Sequence, residues 1–385
     1  MIIQLIPGIG GHHVTQTRRF VLGQLVDHHC HGLVQRDLDR TQLESLLNES
    51  AGASALGTTA FDSMLGLAVR RWCAPMLDLA PRAAPTEYIE RRRELGRAEV
   101  DRRFVSAAGV SDFIVDTGFE PEPVLTPAEL ATLSGGRSHE VARLETIGEA
   151  LLSAGAVPEE FSGRLVEELR SRKPIGSKSI AAYRVGLGLP ATKPTEDELI
   201  KALRTLEPTA DGAYRIAHPA VNAYLAWTAI EVGLPLQFHV GYGDSDLDLH
   251  DCDPLRLTGF LRATQEYGVP VVLLHNYPFH RHASYLAQVF DHVFMDIGLS
   301  VHNSGALSRT VISESLELVP FGKLLYSSDA FGLSELYYLG ALLFRRGLSS
   351  VLETLVTDGE MGTADADHLS ALVSRENARR VYALK

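Results

Sequence analysis

Pro235-Leu236-Gln237-Phe238-His239-Val240 is the first of four short apolar runs in the last third of the sequence; the others span 269–274, 292–297 and 323–326. Stretches of helical character separate them. Near-continuous apolar strands alternating with helices indicate a parallel sheet covered on both faces. Four more strand-like segments lie toward the N-terminus, at 24–31, 111–116, 142–146 and 175–180. Eight such strands predict an α/β fold closed into a distorted TIM (β/α)8 barrel.

Between the first two strands, residues 35–106 have mixed charge and few strand signals, and read as a helical insertion. Thr126-Pro127-Ala128-Glu129 and Thr195-Glu196-Asp197-Glu198 are capping boxes, each of which opens a helix; the second begins an acidic insertion near 190–212. Residues 1–21 carry Gly8, Gly10 and Gly11 before His12 and His13, and read as a mobile leader whose histidines are solvated. Residues 22–385 are then one domain. A length of 385 residues suits a single barrel, because barrels with insertions run from about 200 to over 400 residues.

The net charge is −12, which repels phosphate backbones and argues against a nucleic-acid partner. The arginines at 91–93 and at 102–103 are interleaved with Glu94, Glu99 and Asp101, as on a solvated helix face. Three cysteines without a CxxC pair fit a reducing compartment. No stretch reaches the ~18 apolar residues that span a membrane, and the first residues have no signal-peptide pattern. The expectation is a cytoplasmic protein acting on a small molecule, with no membrane partner. Its oligomeric state, a homo-oligomer included, is left open.

The candidate chemistry lies at strand ends. In barrels of this class the active site sits on the face where the strands end. The first strand reads Asp27-His28-His29-Cys30-His31. Side chains alternate along a strand, so His29 and His31 are expected to point into the barrel mouth. His28 and Cys30 are expected to face the helix layer in structural roles. His239, His275 and Asp329 end three later runs. Imidazole and carboxylate are the ligands zinc uses in catalytic sites. A strand-end His or Asp taken singly is more often a hydrogen-bonded structural residue; four strands ending this way point to a site.

The order Asp-x-His-x-His, then His239, His275 and Asp329, resembles the amidohydrolase superfamily. The segments 178–184, 237–244 and 325–330 are similar to the branch whose members occur alone or fused ahead of a glutamine-synthetase domain. The resemblance implies that His29, His31, His239 and Asp329 hold a divalent metal, zinc by expectation, as one ion or two. Asp329 would move the water's proton, and His275 would polarise the substrate carbonyl or bind a second metal. Some superfamily members carry a carboxylated lysine that bridges two metals at the end of the fourth strand. Lys178 sits at about that place; the alternatives for it are a contact to a substrate carboxylate or a plain salt bridge.

Tyr183, Arg184, Tyr242 and Asp246 are expected in loops above the site as substrate contacts. Arg143 and Glu145 are read as an ion pair on one face of the third strand. His280, His282 and His302 are read as supporting or surface residues. The expected activity is hydrolysis of an amide-type C–N bond in a small, carboxylate-bearing substrate. A zinc-dependent decarboxylase and a sugar-acid isomerase are the alternatives on the same scaffold, and a non-catalytic sensor ranks last because no expected ligand is missing.

Overall fold

The computed structural model describes residues 22–50 and 56–385. The expected leader, with His12 and His13, lies outside them. Seven parallel strands follow one another in chain order: β1 Leu25–Cys30, β2 Val110–Asp116, β3 Arg137–Arg143, β4 Gly176–Ser179, β5 Leu236–Val240, β6 Val271–His275 and β7 Val293–Met295. Lys323–Tyr326, expected as the eighth strand, is not a regular one. Residues 324–330 nevertheless bond to both neighbours, through Leu325 N–H to Met295 O (2.9 Å), His28 N–H to Tyr326 O (3.2 Å) and Asp329 N–H to His29 O (3.0 Å). These bonds join the two edges of the sheet, giving the distorted (β/α)8 barrel.

The apolar pattern explains the layers. Val26, Ile114, Val141, Val272, Leu274 and Leu325 pack with Ala378, Val381 and Tyr382 in one buried cluster inside the ring. A larger cluster joins the outer strand faces to the helices. Strands buried on both faces read as continuous apolar runs, and β5 and β6 are buried at every position. Both capping boxes form, at Thr126–Glu129 and Thr195–Glu198. The three cysteines are free and buried.

The segment between β1 and β2 is helical, as expected, with Arg40–Ser45, Met64–Ala68, Pro85–Leu95 and Arg97–Ala108 as its α-helices. Its anchor is a buried ion pair. Arg92 Nε lies 2.8 Å from Glu335 Oε1 on the long helix Ser334–Thr357, and the Tyr88 hydroxyl donates to the same oxygen at 2.9 Å.

Two readings of the sequence are corrected. The third strand is Arg137–Arg143, and Leu144 already begins the helix Leu144–Ser153. The true strand lacks an apolar run because its first half satisfies polar side chains on β2: Arg137 and His139 both reach Asp112, at 2.8 and 3.2 Å. Arg143 and Glu145 therefore do not pair. Arg143 bonds Asp116 (2.7 Å), while Glu145 accepts from the Ser179 hydroxyl (2.7 Å) and the Ile180 N–H (3.0 Å). The second correction concerns β1, whose pairing with β2 slips between Asp27 and Cys30. A bulge places one extra residue against the partner strand and breaks alternation. His28 thus turns inward, where it meets Asp296 and Tyr382, and does not face the helix layer.

Candidate active site

Asp329 lies at the centre of the strand-end residues. Its Oδ1 is 3.2 Å from His29 Nε2 and 3.4 Å from His31 Nε2, and its Oδ2 is 3.3 Å from His275 Nδ1. The His239 ring centre is 4.6 Å from that of His275. Lys178 Nζ is 3.3 Å from His29 Nε2. The strand register accounts for the gathering: Arg143, Lys178 and Gln237 are successive partners across β3, β4 and β5. The structure thus brings together all six residues expected at the metal.

Two of them are held in left-handed backbone, His275 at φ 66° and Asp329 at φ 51°, with Asn276 between β6 and the next loop at φ 61°. Such residues cost about 1–3 kcal/mol each and cluster at functional sites. The Asn276 amide supports the turn by donating to Leu273 O (2.6 Å) and Asp296 O (2.9 Å).

Tautomers decide what this cluster can bind. His29 Nδ1 faces the Gln237 Oε1 acceptor at 2.8 Å, so it carries the proton and Nε2 presents its lone pair, with Lys178 Nζ 3.3 Å from it. His31 Nδ1 faces the Asp116 carbonyl at 3.3 Å, with the same consequence. His239 Nε2 and His275 Nδ1 are buried without any hydrogen-bond partner. Burial, with Lys178 nearby, holds the His29 imidazole down to about 4, and burial pushes His239 and His275 well below the ordinary range. His29 and His31 thus turn their Nε2 lone pairs toward the Asp329 carboxylate at 3.2 and 3.4 Å, an arrangement that fits a divalent cation. His29, His275 and Asp329 form one group of converging donor atoms, and His29, His31 and Asp116 a second.

A cavity of about 910 Å³ opens above the cluster. Tyr183 packs against His239 with ring centres 4.6 Å apart and the rings tilted by 57°. The chain after β5 passes close by: Gly241 has φ 79°, and a Cβ there would lie 2.2 Å from the Tyr277 carbonyl. Arg184 reaches Glu149 Oε1 at 3.0 Å, but its Nε–H is buried with no acceptor. Asp246 lines the rim and is 3.6 Å from Arg215. Phe119 and Phe331 pack together with tilted rings (centres 4.8 Å apart), and both contact the His31 ring edge-on. Tyr242 stands one step back from the cavity, accepting a 2.8 Å hydrogen bond from the lining residue Asn303.

Several residues of this site have no place in the reading of the sequence. Asp116 ends β2 just as His275 ends β6, so the strand-end rule was enough to find it. Gln237 precedes His239 by two and shares its face, which the strand period signals. Glu49 comes from the loop after the helix Arg40–Ser45, and burial together with Asp329 pushes its carboxyl up to about 7. His302, read from the sequence only as a supporting or surface residue, is buried on the helix Gly298–Asn303, lines the cavity and has an unpartnered Nδ1. Neither Glu49 nor His302 sits at a strand end, so no spacing marks them. His280 and His282 instead pair with Glu314 (2.6 Å) and Asp253 (3.0 Å).

Comparison with known proteins agrees with this geometry. The amidohydrolase family profile matches residues 186–384, more than half of the chain. A Lactobacillus casei protein assigned as a metal-dependent hydrolase superposes with a TM-score of 0.77 at 27% identity, covering 94% of this chain and 95% of that one. Uronate isomerase from Thermotoga maritima superposes with a TM-score of 0.60 at 15% identity over 93% of this chain and 94% of that one, a likeness of fold. The FluG protein of Emericella nidulans is 28% identical over 278 residues, 63% of this chain and 32% of that protein, so the chain spans about a third of the length of this curated relative. Among the described residues no helix is long and apolar enough to cross a membrane. With its strand-end histidines gathered on Asp329 and its sequence matched by the family profile, the chain belongs to the amidohydrolase family.

Proposed function

We propose that this chain is a metal-dependent hydrolase that cleaves an amide-type C–N bond in a small, carboxylate-bearing substrate. The observation that carries the reading is the convergence of the His29, His31 and His275 ring nitrogens on the Asp329 carboxylate at the floor of the cavity. His29, His31, His239 and Asp329 would hold a divalent cation, zinc in this reading, with His275 and Lys178 beside them. Such an ion supplies Lewis acidity that polarises a carbonyl and lowers the pKa of water. Asp329 accepts the proton of the attacking water on a carboxylate oxygen and delivers it to the departing nitrogen. His275, on the other side of that carboxylate, faces the substrate carbonyl. The reaction takes place in the cytoplasm.

The substrate's carboxylate is read by Arg184. A buried guanidinium N–H without an acceptor costs about 1–3 kcal/mol, and a carboxylate oxygen entering the cavity would remove that cost. Arg184→Met should raise KM for an anionic substrate by about 10–100-fold, the worth of a hydrogen bond between charged groups, with kcat changed far less. Glu149 keeps a partner in the variant, the Ile216 N–H at 2.9 Å. An unchanged KM, or an equal rise for an uncharged ester of the same substrate, would sink the carboxylate assignment.

The test of the reaction is a screen of zinc-loaded protein against N-acyl amino acids and γ-glutamyl amides, with release of the free amine as the readout. Uronates and aromatic carboxylic acids run beside them. Amine release supports hydrolysis. Carbon dioxide release or aldose–ketose conversion, without amine release from any amide, replaces it with decarboxylation or isomerisation.

A further inference from the structure

Below the cluster lies a chain of buried hydrogen bonds that the proposed chemistry does not use. It begins at Asp296, just after β7. Its carboxylate accepts from His28 Nε2 at 2.8 Å, from the Ser327 hydroxyl at 2.5 Å and from the His275 backbone N–H. These three donors converge on it from separate elements, so the carboxylate is the acceptor of the group. A carboxylate in that role accepts, so His28 turns its Nε2–H to it and presents Nδ1 on the other side. That nitrogen lies 3.2 Å from the Tyr382 hydroxyl, which must donate to it. The Tyr382 oxygen in turn accepts from Gln237 Nε2 at 2.8 Å.

The Gln237 amide can sit only one way round. Its Nε2 also faces the His28 carbonyl at 2.9 Å, and a carbonyl can only accept. Oε1 is therefore left for His29 Nδ1–H at 2.8 Å. Each link fixes the direction of the next, and the chain ends with the lone pair of His29 Nε2 turned toward Asp329. The Asp27–Cys30 bulge makes this possible, because it puts His28 and His29 on the inner side together.

We infer that Tyr382, acting through Gln237, is a positioning residue that locks His29 in its metal-binding tautomer, with His28 and Asp296 setting the direction of the chain. This rests on the metal-site reading above. It also makes His28 a supporting residue of the centre: removing its ring leaves Tyr382 and Asp296 buried without that partner. Partners of this kind hold ring orientation and raise ligand basicity, and their loss typically weakens metal binding by about 10–100-fold.

The experiment measures zinc affinity by competition with a chelator, and the visible spectrum of the cobalt form, in five proteins: wild type, Tyr382→Phe, Tyr88→Phe, Gln237→Leu and Gln237→Glu. Tyr382→Phe deletes one hydroxyl and should weaken zinc binding about 10–100-fold and alter the cobalt spectrum. Tyr88→Phe also deletes one buried hydroxyl, but that group bonds Glu335 in the helical insertion. It should lower the melting temperature and leave affinity within about twofold. Gln237→Leu removes the acceptor and should bind at least as weakly as Tyr382→Phe. Gln237→Glu keeps an acceptor for His29 but sets a carboxylate oxygen against the His28 carbonyl, so it should bind more tightly than Gln237→Leu and less tightly than wild type. Tight binding by Tyr382→Phe, or an equal loss in Tyr88→Phe, overturns the positioning role while the metal site stands. Wild-type protein that binds neither zinc nor cobalt overturns both.

Discussion

Asp329→Asn will lower kcat by about 10²–10⁴-fold, the usual worth of a general base, with little change in melting temperature. Asp329 sits in left-handed backbone at φ 51°, a conformation that Asn tolerates better than most residues, so the turn survives. The amide keeps one oxygen for the side facing His29 and His31. Its new NH₂ can donate to His275 Nδ1, which has no hydrogen-bond partner. What the amide cannot do is accept a proton at neutral pH. It is also a weaker ligand for a hard cation, so any loss of metal adds to the rate loss. The measurement is kcat and melting temperature for both proteins on whichever amide the screen finds, with metal content by elemental analysis in parallel. Near wild-type turnover with the metal retained would remove Asp329 from the proton path, and with it the hydrolytic mechanism.

How much of this was legible in the sequence depends on which physical rule governed each residue. Strands β5 and β6 are buried on both faces, so hydrophobicity alone marks them, and His239 and His275 follow from their ends. Strand β3 was misplaced because its core-facing content is small and polar pairs with Asp112 hold its first half. Lys178 could be located from sequence, and its surroundings are now plain: it is buried beside His29, and burial holds its ammonium down to about 8. The inward turn of His28 was not legible. Period-two alternation assumes an unbroken ladder, and the bulge depends on how β1 registers against β2, a property of the partner strand. The contributions of Glu49 and His302 were hidden for a related reason, since an insertion and a helix after β7 reach the cavity only through tertiary packing.

The insertion itself is expected to depend on one buried charge pair. Arg92→Met should destabilise the protein by about 3–5 kcal/mol, because it strands Glu335 in the interior. Both side chains are nearly inaccessible, at 5% and 1% exposure. Burial would raise the Glu335 carboxyl, but Arg92 outweighs it and keeps the carboxyl ionised. Without the guanidinium, the carboxylate retains Tyr88 as a donor and loses its counter-charge. The predicted fall in melting temperature is about 4–6 °C. Truncation of packing and loss of charge compensation make different predictions for the second step. If the cost is an uncompensated charge, Arg92→Met with Glu335→Leu should recover at least half of the stability, since apolar replacement of a whole buried pair is often neutral. The Tyr88 hydroxyl, left without its acceptor, accounts for the remainder. A double variant no more stable than Arg92→Met would mean that the aliphatic stem of Arg92, packed beneath the insertion, is what holds it to the long helix. The measurement reaches the active site as well, because Leu336 follows Glu335 and lines the cavity. A loosened anchor should therefore raise KM in the single variant and relieve it in the double.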